Sequence, residues 1–424
     1  MREPEPSGRL SVPEPPARGG QRGRHRPELL SPARDWERLE MALHYGADAV
    51  YLAGTEYGLR AAAGNFRSPE ELRAAVRLAH AAGAKVYVAV NALPREAQLP
   101  GLPAFLEQAA AAGADAFILS DLGVLDLARR CAPEVALHVS TQLGVVNSAA
   151  ATMLAKLGAS RVILARELSL EEIREIRRNT PPELELEAFV HGAMCVSFSG
   201  RCLLSNYLTG RDGNGGACAQ PCRWKYHLVE ERRPGAYFEL TEDGGSYILN
   251  ANDLCMIAHL EELAAAGIDS FKIEGRMKSA YYAAAVTNAY RHALDDMLAG
   301  RPFDPLWLEE CGKISHRDYC TGFYYGAPGE NPGDASYHAA ASICAVVESC
   351  DGTGEALLTE RNRFSLGDTV ELLRREGKPL RFVVSDLRDG DGAPIDCARH
   401  PMMPLRMRLP VPAPRLSILR TLTT

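Results

Sequence analysis

No run of this 424-residue chain reaches the roughly 18 consecutive apolar residues that a membrane helix requires. No apolar core follows the arginines at the N-terminus, so no secretory signal is expected. The expected compartment is the cytoplasm, where thiols stay reduced. GxSxG and HExxH are both missing, which removes two common hydrolase signatures. No glycine fingerprint follows the first expected strand, which argues against an open dinucleotide-binding sheet. The formal net charge of −7 gives no global pull toward nucleic acid.

What the chain does have is 11 cysteines. Without an oxidising compartment they are expected as ligands, redox groups or core fillers rather than as a disulfide framework. Four of them, Cys195, Cys202, Cys218 and Cys222, fall in one stretch rich in glycine and poor in branched apolar residues. Such a stretch cannot bury much core by itself and needs something else to order it. The spacing is neither the tight Cys-x2-Cys of zinc ribbons nor a ferredoxin run. Zinc, an iron–sulfur cluster and four core thiols all remain open on spacing.

Residues 1–26 read as a disordered leader rich in Pro, Gly and Arg. From Pro27, short apolar runs alternate with Ala/Leu/Glu/Arg-rich helical stretches. Strands are expected at 28–30, 49–52, 85–90, 116–119, 134–139, 161–164, 183–190 and 270–273. Single helices separate them, with Gly46, Gly83, Gly113, Gly158 and Gly267 just past helix ends. Strands joined by single helices pair in parallel. Eight such units over residues 27–300 predict an α/β fold, a TIM-like (β/α)8 barrel. The cysteine stretch becomes an insertion, 191–252, after strand seven. A hairpin within it is expected, Tyr226–Val229 with Tyr237–Thr241, and helix seven is expected to resume at Asp253. Residues 303–424 predict a small all-β domain, with strands at 342–347, 355–358, 369–373 and 382–387.

The barrel places the loops after its strands on the active face. There Gln142 follows strand five and Arg166 strand six, while Arg60 and Asn65 follow strand two. Lys272, Glu274 and Arg276 lie on or past strand eight. These are candidate substrate-binding and catalytic groups, with His191 beside them as a base for Cys195. The bland alternatives are an ion-pair ring, Lys272 with Glu274, and a strand-end histidine bonding a neighbouring loop. In the insert, Tyr207 and Trp224 interleave with Arg201, Arg211 and Arg223. Aromatics among arginines suit stacking of an unpaired base, and equally suit packing of the insert on the barrel.

The pattern Glu187-x-Phe189-x2-Gly192-Ala193-Met194-Cys195-x4-Gly200-x-Cys202-x-Leu204-Ser205 resembles the signature of the collagenase-like family of unclassified peptidases. Asp269–Asp295, Gly58–Phe66, Ala165–Leu170 and Ser315–Phe323 resemble further blocks of that family. The resemblance implies more than its label. Its members include peptidases and proteins for oxygen-independent hydroxylation of RNA bases and of the ubiquinone ring. By this resemblance the expected activity is hydroxylation of the wobble uridine of tRNA. Prephenate would be the hydroxyl donor, and a [4Fe-4S] cluster would sit on Cys195, Cys202, Cys218 and Cys222. Prephenate carries two carboxylates, which Arg60, Arg166, Lys272 and Arg276 are the types to hold. A peptidase and a non-catalytic RNA-binding partner are the alternatives. A protein partner or a homo-oligomer also fits.

Overall fold

The computed structural model describes residues 26–59, 66–195, 197–224, 251–328 and 337–423, and the backbone of 228–229 and 237–238. The leader up to residue 25, Arg60, Asn65 and most of the 225–250 stretch lie outside the described residues.

The chain runs β1 (Glu28–Pro32), α1 (Trp36–His44), β2 (Ala49–Leu52), α2 (Pro69–Ala81), β3 (Lys85–Val90), α3 (Leu102–Ala111), β4 (Ala116–Leu119) and α4 (Leu122–Cys131). It continues with β5 (Ala136–Val139), α5 (Ser148–Lys156), β6 (Arg161–Ile163), α6 (Leu170–Arg178) and β7 (Glu185–Ala193). The insert holds α7 (Leu204–Thr209) and a two-stranded ribbon, β8 (Leu228–Val229) antiparallel to β9 (Tyr237–Phe238). Then come β10 (Asp253–Cys255), α8 (Leu260–Ala265), β11 (Ser270–Ile273) and α9 (Ala280–Leu298).

Local sequence explains the helix boundaries. Asp35, Ser68, Asp121, Asn147, Ser169 and Ser279 each accept a backbone N–H at a helix start. The five glycines expected past helix ends adopt φ between +77° and +103°. The strands pair in parallel in sequence order from β1 to β7, and β11 pairs with both β7 and β1. This closes an eight-stranded barrel. Its buried apolar residues and those under the helices form one continuous core.

Two expectations need correction. Helix seven does not resume at Asp253. Residues 253–255 are the strand β10, antiparallel to the end of β7, and the helix begins at Leu260. Helical structure also continues past residue 301, in α10 (Leu306–Gly312), and β12 (Tyr319–Cys320) pairs on β10. Both runs are too short to show a clear period in sequence.

The second domain begins with β13 (Ala341–Cys350), followed by β14 (Glu355–Glu360), β15 (Phe364–Ser365), β16 (Thr369–Leu373) and β17 (Leu380–Val383). β18 (Arg388–Asp389), β19 (Cys397–Ala398), β20 (Pro404–Arg408) and β21 (Ile418–Leu422) complete it. Seven of these strands form one antiparallel sheet, and β15 pairs with β19. Buried charges join the lobes: Arg420 bonds Glu310 at 2.7 Å and Lys313 bonds Glu371 at 2.9 Å.

Candidate functional site at the barrel mouth

A cavity of about 360 Å³ lies where the insert covers the C-terminal ends of the barrel strands. Its floor is barrel: Tyr51, Asn91, Gln142, Arg166, Phe189, Lys272, Glu274 and Arg276. Its roof is insert: Cys195, Cys202, Cys218, Cys222, Arg211 and Arg223.

Each floor group is held by neighbours. Gln142 is buried and accepts from Ser120 Oγ at 3.2 Å. The Arg166 guanidinium stacks on Phe189 at 3.8 Å and donates from Nη1 to the Ala193 carbonyl at 2.8 Å. Its buried Nε has no partner. Lys272 Nζ donates to Glu187 Oε1 at 2.8 Å and sits over Tyr51 at 4.6 Å. The expected pairing of Lys272 with Glu274 is therefore replaced by one with Glu187. That carboxylate is fully enclosed and also meets Arg161 at 3.0 Å. Glu274 instead accepts from the Tyr51 hydroxyl at 3.3 Å. Arg276 is buried beside the cavity.

The insert is fastened by polar contacts, as its composition requires. Glu167, in the loop after β6, accepts from Ser199 N at 2.6 Å and Ser199 Oγ at 2.7 Å. Asn214 bridges both backbone groups of Cys202. The sulfurs themselves accept backbone N–H groups two residues on: Cys202 from Leu204 and Cys218 from Gln220, both at 3.3 Å, and Cys195 from Ser197. Burial pushes the Cys195 and Cys222 thiols up, and neighbouring thiols of the group add to this. Thiolates here call for a cation to balance them.

Not every candidate reaches the cavity. His191 is buried away from it. Its Nδ1 lies 3.3 Å from the Tyr290 hydroxyl and its Nε2 3.4 Å from that of Tyr319. Arg201, Tyr207 and Trp224 lie on the outer surface of the insert. Tyr207 is 81% exposed and Trp224 44%. Sequence reasoning missed Lys278, over Tyr337 at 4.2 Å, which burial pushes down to about 8. It also missed the buried pair Arg317–Asp253 at 2.6 Å, and the fastening role of Glu167. Their signal is contact across the fold, which spacing does not carry.

The model of peptidase family U32 matches residues 34–333, and that of the family's C-terminal domain matches residues 340–420. The chain belongs to peptidase family U32. It is 38% identical over 391 residues to tRNA hydroxylation protein P1 of Bacillus subtilis, covering 91% of this chain and 92% of that one. To tRNA hydroxylation protein P of Escherichia coli it is 38% identical over 418 residues, 88% and 91% of the two chains. A 23S rRNA 5-hydroxycytidine synthase of Escherichia coli is 38% identical over 277 residues, 65% of this chain and 40% of that protein. Among the described residues no helix is long and apolar enough to cross a membrane.

Proposed function

We propose that this chain is an RNA-hydroxylating enzyme that modifies the wobble uridine of tRNA, with prephenate as hydroxyl donor and a [4Fe-4S] cluster on Cys195, Cys202, Cys218 and Cys222. One observation carries the reading: four thiols and a set of anion-binding groups line the same cavity at the barrel mouth. Two relatives named for tRNA hydroxylation, matched over about nine-tenths of each chain, support the substrate class.

The donor set fits a cluster. Cysteine is the usual ligand, and N–H groups on the sulfurs stabilise thiolate. Among the described residues, the group of metal-binding side chains with all its ligand atoms within 4.8 Å of one another is His191, Cys255 and Cys311, not the rim thiols. The four rim sulfurs are spread wider, which suits an inorganic core between them better than one zinc ion. When bound, such a cluster supplies an iron centre for redox or Lewis-acid chemistry.

The protein's own groups do the rest. Arg166 leaves Nε uncommitted, and with Arg276 it is suited to the two carboxylates of the donor. Lys272 is held by its ion pair with Glu187, so its role is positioning. The Gln142 amide offers directional hydrogen bonds. In this reading the cavity takes the target base and the donor, and the rest of the anticodon loop lies outside on Arg201, Tyr207 and Trp224. A peptidase of the Cys–His type would need His191 at the mouth beside Cys195, and its ring lies between Tyr290 and Tyr319 instead.

The test is nucleoside mass spectrometry of tRNA from a deletion strain complemented with wild type, Cys195→Ala or Arg166→Met. Loss of 5-hydroxyuridine in the deletion, restored only by wild type, is the expected result. Unchanged hydroxyuridine in the deletion strain would refute the reading.

A further inference from the structure

A second set of soft ligands lies behind the mouth. His191 on β7, Cys255 on β10 and Cys311 on α10 are all buried, and their ligand atoms lie within 4.8 Å of one another. Two of the three come from strands that pair directly, Cys255 opposite His191. The third arrives from a helix outside the barrel. None of them lines the cavity at the mouth.

The partners of the imidazole are two tyrosine hydroxyls and the Cys255 sulfur. The Tyr290 hydroxyl donates its proton to the Val190 carbonyl at 2.7 Å. The Tyr319 hydroxyl donates its proton to the Cys311 carbonyl at 2.8 Å. Both tyrosines face the ring nitrogens of His191, at 3.3 and 3.4 Å, with their protons already committed. A neutral imidazole has one N–H and one lone pair. Each phenol oxygen can receive the N–H, and neither can donate to the lone pair. What remains to meet that lone pair is a thiol or a cation.

Charge decides which cation. Two thiolates and one imidazole carry a charge of −2. A divalent ion makes the set neutral, whereas a monovalent ion leaves a buried negative charge with no counter-charge among these ligands. Two sulfurs and one nitrogen are a zinc donor set.

We propose that His191, Cys255 and Cys311 form a three-ligand site for a divalent zinc-type ion, separate from the rim thiols, with the fourth position left to water. The ion would clamp the place where the chain leaves the barrel into the insert, at His191, to the place where it returns, at Cys255. It would tie both to α10. The rim set would then stand on a frame that a second metal holds.

The experiment uses full-length protein in which Cys195→Ala and Cys218→Ala remove the rim set as a competitor. Zinc alone, and cobalt(II) as its spectroscopic stand-in, are the probes. The expected result is about one tightly held ion per chain and a near-ultraviolet thiolate-to-cobalt band. Adding Cys311→Ala, with folding checked by circular dichroism, should weaken retention roughly a hundredfold and abolish the band. Thermal unfolding gives a second readout: zinc should raise Tm in the rim-less protein and leave the Cys311→Ala form unmoved. No retained metal in the rim-less protein, or an unchanged cobalt band after Cys311→Ala, overturns the proposal. Neither result bears on RNA hydroxylation, so the two readings fail independently.

Discussion

Gly192 shows how tightly one position can be specified. Its φ is +110°, and a Cβ there would stand 2.3 Å from the Glu274 carbonyl oxygen. Gly192→Ala should therefore cost about 3 kcal/mol or more, read by denaturant unfolding. A break in the ladder on the same strand explains why one candidate was misplaced by sequence. Strand alternation puts 189, 191 and 193 on one face, and Phe189 and Ala193 do line the cavity. The pairing with β11 slips, however, from Lys272 opposite Phe189 to Ile273 opposite His191. That irregularity turns His191 out of the alternation. Nothing in the residue types announces it. Gln142 and Arg166 follow regular strand ends, and Lys272, Glu274 and Arg276 stay on the rim although the slip falls at the end of β11, so the place of all five was legible. Arg166→Ala should lose both the Phe189 stack and the bond to Ala193, lowering activity at least tenfold while the barrel still folds, measured by single-turnover hydroxylation.

At the scale of elements, the barrel strands and helices were readable because capping residues, glycines and apolar runs all agree. The return from the insert was not, because three residues of strand cannot be told from the start of a helix by periodicity. The insert's outer face makes a separate prediction. Tyr207 and Trp224 are exposed and carry little of the core. Replacing each by Ala should leave Tm within a degree or two and weaken tRNA binding by about 1–3 kcal/mol per lost stack, read by filter binding. Arg201→Gln should instead reduce the salt dependence of binding, by about one in the slope of log K against log salt. If Tyr207→Ala binds like wild type, the stacking role of this face is wrong.

The whole molecule depends on charges shared between its lobes. Burial alone would raise the Glu371 carboxyl, but hydrogen bonds from Lys313 and Arg420 outweigh it and hold it at about 2, below its ordinary 4.5. The folded value lies below the unfolded one, so the stabilisation is complete above about pH 4.5 and is lost as pH falls toward 2. That gap corresponds to about 3 kcal/mol, so Glu371→Gln should lower stability at pH 7 by a similar amount. The variant should also flatten the acid limb of the Tm–pH curve, measured by calorimetry. A parallel acid limb in the variant would assign that limb to other carboxylates.

β11 lies between β7 and β1, so the ring is complete only once Ser270 meets Glu28, 242 positions back along the chain. During synthesis the cysteine segment has therefore already emerged while the first and seventh strands each still present a bare edge. Ribosome-bound chains stopped just before that last strand should be protease-sensitive and chaperone-bound, and ones extended past it should not.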